Sequence, residues 1–317
     1  MKNKKITLLS VFLIITLVSF GFIEGDKTGK QVSKKTNHLS KTTASGKQGD
    51  AYRLNVNNVS LPLNNKGILA AVNIDNSSGG IYGGNVFLFS GGFFLSGRTN
   101  GELWANAVAS ASLIENYIPG LAVPGGQNDP RAVIYVLNNE DPPFGQSWQD
   151  WKDAVALGAD FYDGDGDGVY NPVDLNGDGI WTPDEDSPDL LGDETVWCVY
   201  NDGQPLAQRL RFSGIRPQGI EVRQTVFAFA SKGAIGNIVF VRYRLKNTGI
   251  IADTLTDVYF GAWADPDLGD HTDDLVGVDT TRDAGYVYND GSDVQYGANP
   301  PCFIIDFFSG PISYIPG

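Results

Sequence analysis

Apolar and polar residues alternate with a period of two over long stretches of this chain. In NIVFVRYRLKN, residues 237–247, Val239, Val241, Tyr243 and Leu245 fall on one side, and Arg242, Arg244 and Lys246 on the other. Such a pattern predicts a half-buried β-strand. GIEVRQTVFAFA, residues 219–230, alternates in the same way. Further strands are expected over 67–74, 86–95, 102–113, 132–137, 195–200, 255–263 and 302–308, separated by clusters of Gly, Asn, Asp and Pro that read as turns. One segment has helical spacing. SWQDWKDAVAL, 147–157, places Trp148, Trp151 and Val155 at i, i+3 and i+7, with Ser147 as the N-cap and Asp150 as a weak capping-box partner. The expected fold is all-β, with antiparallel sheets packed as a β-sandwich and one short core-facing helix.

The N-terminus breaks this pattern. Lys2, Lys4 and Lys5 precede an apolar run over 6–22, interrupted by Thr7, Ser10, Thr16, Ser19 and Gly21. A positive segment followed by such a run predicts a secretory signal peptide over 1–21, with the small residues Ser19 and Gly21 at its cleavage site. An uncleaved membrane anchor is the competing reading, because the run approaches the length of a short span. No cysteine lies near it, which argues against a lipid anchor. Residues 22–50 are rich in Lys, Ser, Thr and Gly and read as a disordered polar linker. The sandwich region is expected over 51–317. The closing SGPISYIPG is apolar and turn-rich, and predicts that the chain continues in a longer exported protein.

Charge narrows the choice of partner. Residues 1–50 hold 9 of the 23 basic residues and 3 of the 37 acidic ones, leaving 14 against 34, a formal −20, for 51–317. That excludes nucleic acid, which needs basic surface to displace counterions, and it argues against anionic membrane once the leader is removed. No Lys or Arg occurs between Asp153 and Gln208, where acids crowd. Uncompensated carboxylates in an exported chain point to bound cations. Export also permits a disulfide between Cys198 and Cys302. Two buried thiols are the alternative, since both lie in apolar, strand-like runs.

The acids are organised. Within 163–186, DGDGDGVYNPVD lies over DLNGDGIWTPDE at an offset of eleven. A calcium loop of the EF-hand type uses side-chain oxygens at positions 1, 3, 5 and 9, a carbonyl at 7, a carboxylate at 12 and a turn glycine at 6. The first copy supplies Asp163, Asp165, Asp167, Asn171, the Val169 carbonyl and Asp174, with Gly168 at the turn. The second supplies Asp174, Asn176, Asp178, Thr182, the Ile180 carbonyl and Glu185, with Gly179 at the turn. Asp174 would close one loop and open the next, bridging two Ca2+ ions. Tyr170 and Trp181, both at position 8, would anchor the loops in the core. The stretch resembles EF-hand-like loops, and its close spacing is similar to thrombospondin type 3 repeats; dockerin modules use comparable loops. Pro172, Pro183 and the lack of an exiting helix depart from an EF-hand pair, and Asp174 is shorter than the usual Glu. The bland reading is a solvated acidic turn region. A calcium-binding insertion is therefore expected at about 160–190, with a structural role, since extracellular modules bind calcium at roughly 10⁻⁴–10⁻³ M. A further cation is considered near Asp265, Asp267 and Asp270, against a plain acidic loop. His271 beside them reads as a loop residue.

Catalytic signatures are sparse. His271 is the one histidine of the body, the other being His38 in the linker, and no H-E-x-x-H, G-x-S-x-G or phosphate-loop motif occurs. Trp104, Trp197 and Trp263 lie in strand-like runs and read as core. GIEVRQTVFAFA, GNIVFVRYRLKNTG and DVYFGAWADPDLGDHTDDLVGVDTT, with LWANAVASASL, FGQSWQDW and GDETVW before them, resemble the large N-terminal region of exported multidomain bacterial proteins that carry a C-terminal type IX secretion sorting domain. The KNTG turn is similar to those of Ig-like and fibronectin-like modules. The resemblance implies a cell-surface or released protein and implies no reaction. We expect a secreted, calcium-stabilised protein of structural, adhesive or binding role, whose extracellular ligand is a polysaccharide or a protein. The alternative is a secreted hydrolase acting on polysaccharide or protein with structural calcium.

Overall fold

The computed structural model describes residues 8–18, 45–108, 117–203 and 216–314, with the backbone alone for 8–18 and 311–314. Strands make up 44% of the chain and helix 7%, so the class is all-β. The largest sheet has ten strands. In spatial order they are β17 (Asp274–Asp279), β18 (Ala284–Asn289), β19 (Cys302–Tyr314), β1 (Leu8–Val18), β15 (Ile238–Asn247), β14 (Ile220–Ala228), β13 (Glu194–Asn201), β10 (Tyr135–Asn138) and β2 (Gly46–Lys47), with β9 (Ile118–Pro119) also on β13. Two smaller sheets are β16 (Thr256–Asp265)–β7 (Ser90–Thr99)–β8 (Glu102–Val108) and β3 (Ala51–Leu54)–β4 (Val59–Asn64)–β5 (Gly80–Tyr82)–β6 (Asn85–Leu88). A two-stranded ladder joins β11 (Phe161–Tyr162) to β12 (Ser187–Pro188). All these pairings are antiparallel.

The main core lies between the large sheet and the two smaller ones. Val222 and Val226 of β14 and Val239, Val241 and Tyr243 of β15 meet Leu54, Leu61, Phe93 and Leu95 there. Phe93 stands edge-on to Tyr243 at 5.0 Å and to Tyr117 at 5.5 Å, the geometry that aromatic quadrupoles favour. The opposite face of the large sheet is also covered over β10 and β13. Trp197 and Val199 of β13 and Tyr135 and Leu137 of β10 pack on Trp151 and Ala154 of the helix α1 (Gln146–Ala156). This explains why every residue of β13 is buried.

Several expectations need correction. β15 is not half-buried with a solvated polar side. Arg242 is only 7% exposed. It pairs with Asp189 and reaches Asp160 at 3.5 Å, while Arg244 pairs with Asp160. Its charged face is thus the docking surface for the segment around the acidic repeat. Residues 67–74 form no strand: Ala70 takes φ 67°, and the neighbouring bonds run Ala71 N–H to Leu69 and Val72 N–H to Ala70, a series of tight turns. The 86–95 run is split at Phe89 into β6 and β7. Residues 109–113 of the expected 102–113 strand lie outside the described residues. β3, β4, β17 and β18 were not expected. The N-cap of α1 is Gly145, with no side-chain bond; Ser147 is buried in the first turn, and Asp150 accepts from the Lys47 amide. Gly46–Lys47 pair with Tyr135 and Val136, so the folded body begins before residue 51. Trp104 and Trp197 are buried as expected, whereas Trp263 is half-buried. The two cysteines are free thiols; burial pushes the Cys198 thiol up to about 12. Leu8–Val18, inside the expected leader, forms a strand of the sheet.

Candidate metal centre

The acidic repeat leaves the body through a narrow neck. Phe161 pairs with Pro188 and Tyr162 with Ser187, so residues 163–186 form a closed excursion. Outside the neck, the Asp160 and Asp189 pairs with Arg242 and Arg244 tie both ends to β15. Arg242 is buried, and breaking such a pair from one side strands a charge in the interior. Tyr170 is buried in the second core, lies tilted against Phe161 with ring centroids 5.3 Å apart and donates to the Trp148 carbonyl at 3.1 Å. Trp181 stays at the rim instead, 5.6 Å from Tyr162.

Inside the neck the two copies fold as one backbone pattern written twice. Asp163 accepts from the amides of Gly166 (2.8 Å) and Gly168 (2.9 Å); Asp174 accepts from Gly177 (2.6 Å) and Gly179 (2.7 Å). Asp165 accepts from Asp167 N–H, and Asn176 from Asp178 N–H. Asp167 accepts from Val169 N–H, and Asp178 from Ile180 N–H. The four turn glycines have φ of 76°, 78°, 77° and 76°, left-handed values that exclude most other residues. Val169 and Ile180, expected to offer carbonyls, hold their side chains in solvent.

The closing carboxylates differ. In the second copy Glu185 accepts from Leu175 N–H at 2.7 Å and Thr182 N–H at 2.8 Å, positions 2 and 9 of its loop. In the first copy the equivalent amides, Gly164 and Asn171, donate to Asp186 at 3.0 and 2.6 Å. The residue the repeat points to for that role, Asp174, instead serves Gly177 and Gly179. Glu185 and Asp186 are both buried, at 2% and 3% exposure. A Cβ at Gly164 would lie 2.3–2.6 Å from Glu185 backbone atoms, so the close approach that delivers Asp186 requires glycine there.

Asp163, Asp165 and Asp186 each bring a carboxylate oxygen within 4.8 Å of one another, and they are the group among the described residues able to hold a metal ion. Carboxylate oxygens are hard ligands and suit a hard metal cation. The electrostatics of the two copies diverge accordingly. The Asp167 amide pulls the Asp165 carboxyl down, but desolvation and the charges of Asp167, Asp186 and Asp163 together hold it above the usual range. Asp174 is held below that range, chiefly by the Gly179 amide and then by Gly177.

The second acidic cluster is arranged otherwise. Asp265, Asp267 and Asp270 are not drawn into such a group. Asp270 accepts from Thr272, Asp274 from Leu268 N–H and Asn289, and the buried Asp293 from the amides of Asp270, Gln295 and Tyr296. Carboxylates spent on local N–H groups stabilise turns. His271 is exposed beside them.

Comparisons with protein families, with curated proteins and with solved structures return no match to this chain.

Proposed function

We propose that this chain is an exported, extracellular or cell-surface protein whose β-sandwich is stabilised by calcium and which serves a structural, adhesive or binding role. The observation that carries the reading is the Asp163–Asp165–Asp186 group, set in loops that repeat one oxygen-presenting turn pattern. Two adjacent buried carboxylates satisfied by amide donors still carry net charge, which a cation offsets. The leader pattern supports export, and the motif resemblance to type IX cargo supports release to the cell surface. Calcium at extracellular concentration fills sites of this class nearly all the time, so its role here is to hold the fold. The test is calorimetry of the calcium-stripped full chain during calcium titration, alongside thermal melting. Saturable binding with a raised Tm is expected. An unchanged Tm and no heat would overturn the reading. A parallel screen against polysaccharides and peptides should give binding without turnover; turnover lost through one Asp or Glu change outside 163–186 would favour a hydrolase.

A further inference from the structure

β1 belongs to the segment whose sequence marks it as a removable leader, yet it is an interior strand. It pairs antiparallel with β15 from Leu8 opposite Lys246 to Thr16 opposite Ile238. On its other side it pairs antiparallel with β19, from Leu8 opposite Tyr314 to Val18 opposite Cys302. β15 and β19 therefore run parallel to each other. Among the described residues no other strand joins them: without β1 the sheet divides into β17–β18–β19 and the strands from β15 to β2. The two edges would face each other across one missing strand, about 9–10 Å apart at the usual interstrand spacing. Closing that gap directly would need a slanted parallel ladder in a sheet that is otherwise antiparallel.

Both edges are also apolar on the core side. Val239, Val241 and Tyr243 are fully buried on β15, and Phe303 on β19 is buried with Ile305 and Phe307 packed against the same core. The register sets Leu9, Val11, Leu13 and Ile15 opposite Leu245, Tyr243, Val241 and Val239, and Leu17 opposite Phe303. Losing β1 would leave two rows of unpaired backbone groups beside exposed apolar side chains, the condition under which a sheet edge captures another strand.

We propose that this gap is a strand-acceptor slot, held by β1 in the precursor and taken, once the leader is removed, by an extended segment of a partner protein. The proposal rests on the export reading. The slot defines the segment: about nine to eleven residues, antiparallel to both edges, apolar at five alternate positions. The alternate row is mixed: Ser10 lies opposite Arg244 and Thr16 opposite Ile238, with Phe12 and Ile14 opposite Arg242 and Phe240. The tether of a second copy does not fit, because residues 22–44 are Lys-, Ser- and Thr-rich and lack that alternation.

The probe is a peptide of residues 8–18 carrying a lysine tail for solubility, and the readout is amide hydrogen exchange in β15 and β19. Intact mass of the chain recovered outside the cell reports separately on the export reading. A chain still beginning at Met1 would sink both leader removal and the opening of the slot. With the leader gone, exchange at the two edges should be faster than in the full chain by about 100-fold or more, the span between core and fraying segments. The peptide should restore protection as a 1:1 complex, and a Val11→Asp, Leu13→Asp version should not. If the leaderless chain fails to fold, the peptide should rescue refolding, and no rescue would overturn the proposal. In the full chain, Val11→Asp with Leu13→Asp should speed exchange at both edges. Edges as slow in the leaderless chain as in the full chain, with no peptide uptake, would also overturn it.

Discussion

The two copies of the acidic repeat share a backbone and differ in what closes them. Each sets an aspartate over two glycine amides with the same bonds and the same left-handed turns. The first is closed by Asp186, which joins Asp163 and Asp165 in a compact carboxylate group. The second is closed by its own Glu185, and its opening carboxylate, Asp174, makes the same two amide bonds without joining such a group. Repetition in sequence thus reproduces turns faithfully, because turns depend on local residues. It does not reproduce ligand sets, which depend on what the chain brings back from farther away.

The contrast can be broken most directly at its closing residue. Asp186→Ala leaves the Gly164 and Asn171 amides without their buried acceptor. It should cost about 2–4 kcal/mol in calcium-free denaturation and abolish the calcium-dependent rise in Tm; a rise that survives would place the ion elsewhere. Gly164→Ala comes next. Its methyl would press on the Glu185 backbone, and urea unfolding should show a loss of about 1–3 kcal/mol, with calcium affinity falling because Asp186 is displaced. Asp174→Ala tests the shared-ligand idea. If Asp174 bridged two ions, both would weaken; the geometry predicts that affinity at the first copy changes by no more than about twofold, the coupling typical of separate sites. Calorimetry beside Asp163→Ala, which should lose that site, makes the comparison.

The smallest effect is on proton titration. The folded pKa of Asp165 lies above its unfolded value, so its ionisation destabilises the calcium-free fold at higher pH, and the penalty fades as pH falls through the folded pKa. Asp174 has the opposite sign: its contribution is present above the unfolded pKa and is lost as pH falls through the depressed folded one. NMR titration should find Asp165 protonating before Asp174, and calcium should pull Asp165 down more than Asp174.

Much of this molecule is legible in its residues, and the gaps have physical causes. β14 and β15 are read correctly because their alternation is regular, and α1 because two tryptophans share one face. The polar face of β15 misleads, since Arg242 and Arg244 look solvated until Asp189 and Asp160, 53 and 84 residues away in sequence, meet them. Residues 67–74 look like a strand by hydropathy, but Ala70 adopts a left-handed conformation that hydropathy does not encode. At the centre, every turn acceptor from Asp163 to Asp178 is visible in the eleven-residue offset. Asp186 is not, because its partner amides lie 22 and 15 residues upstream. The signal was the run Asp184-Glu185-Asp186, three carboxylates where one loop needs one.

The neck formed by Phe161–Tyr162 and Ser187–Pro188 has a consequence for how such a protein can vary. Its two ends are fixed by strand pairing and by the β15 arginines, so the sheet does not register how many residues lie between. Lengthening a closed loop is cheap, with each doubling costing about 0.6 kcal/mol. A lineage could gain or lose an eleven-residue copy here without shifting one strand pair. The insertion is in that sense a socket on the scaffold, and the number of acidic loops it carries is a quantity that selection can count up or down.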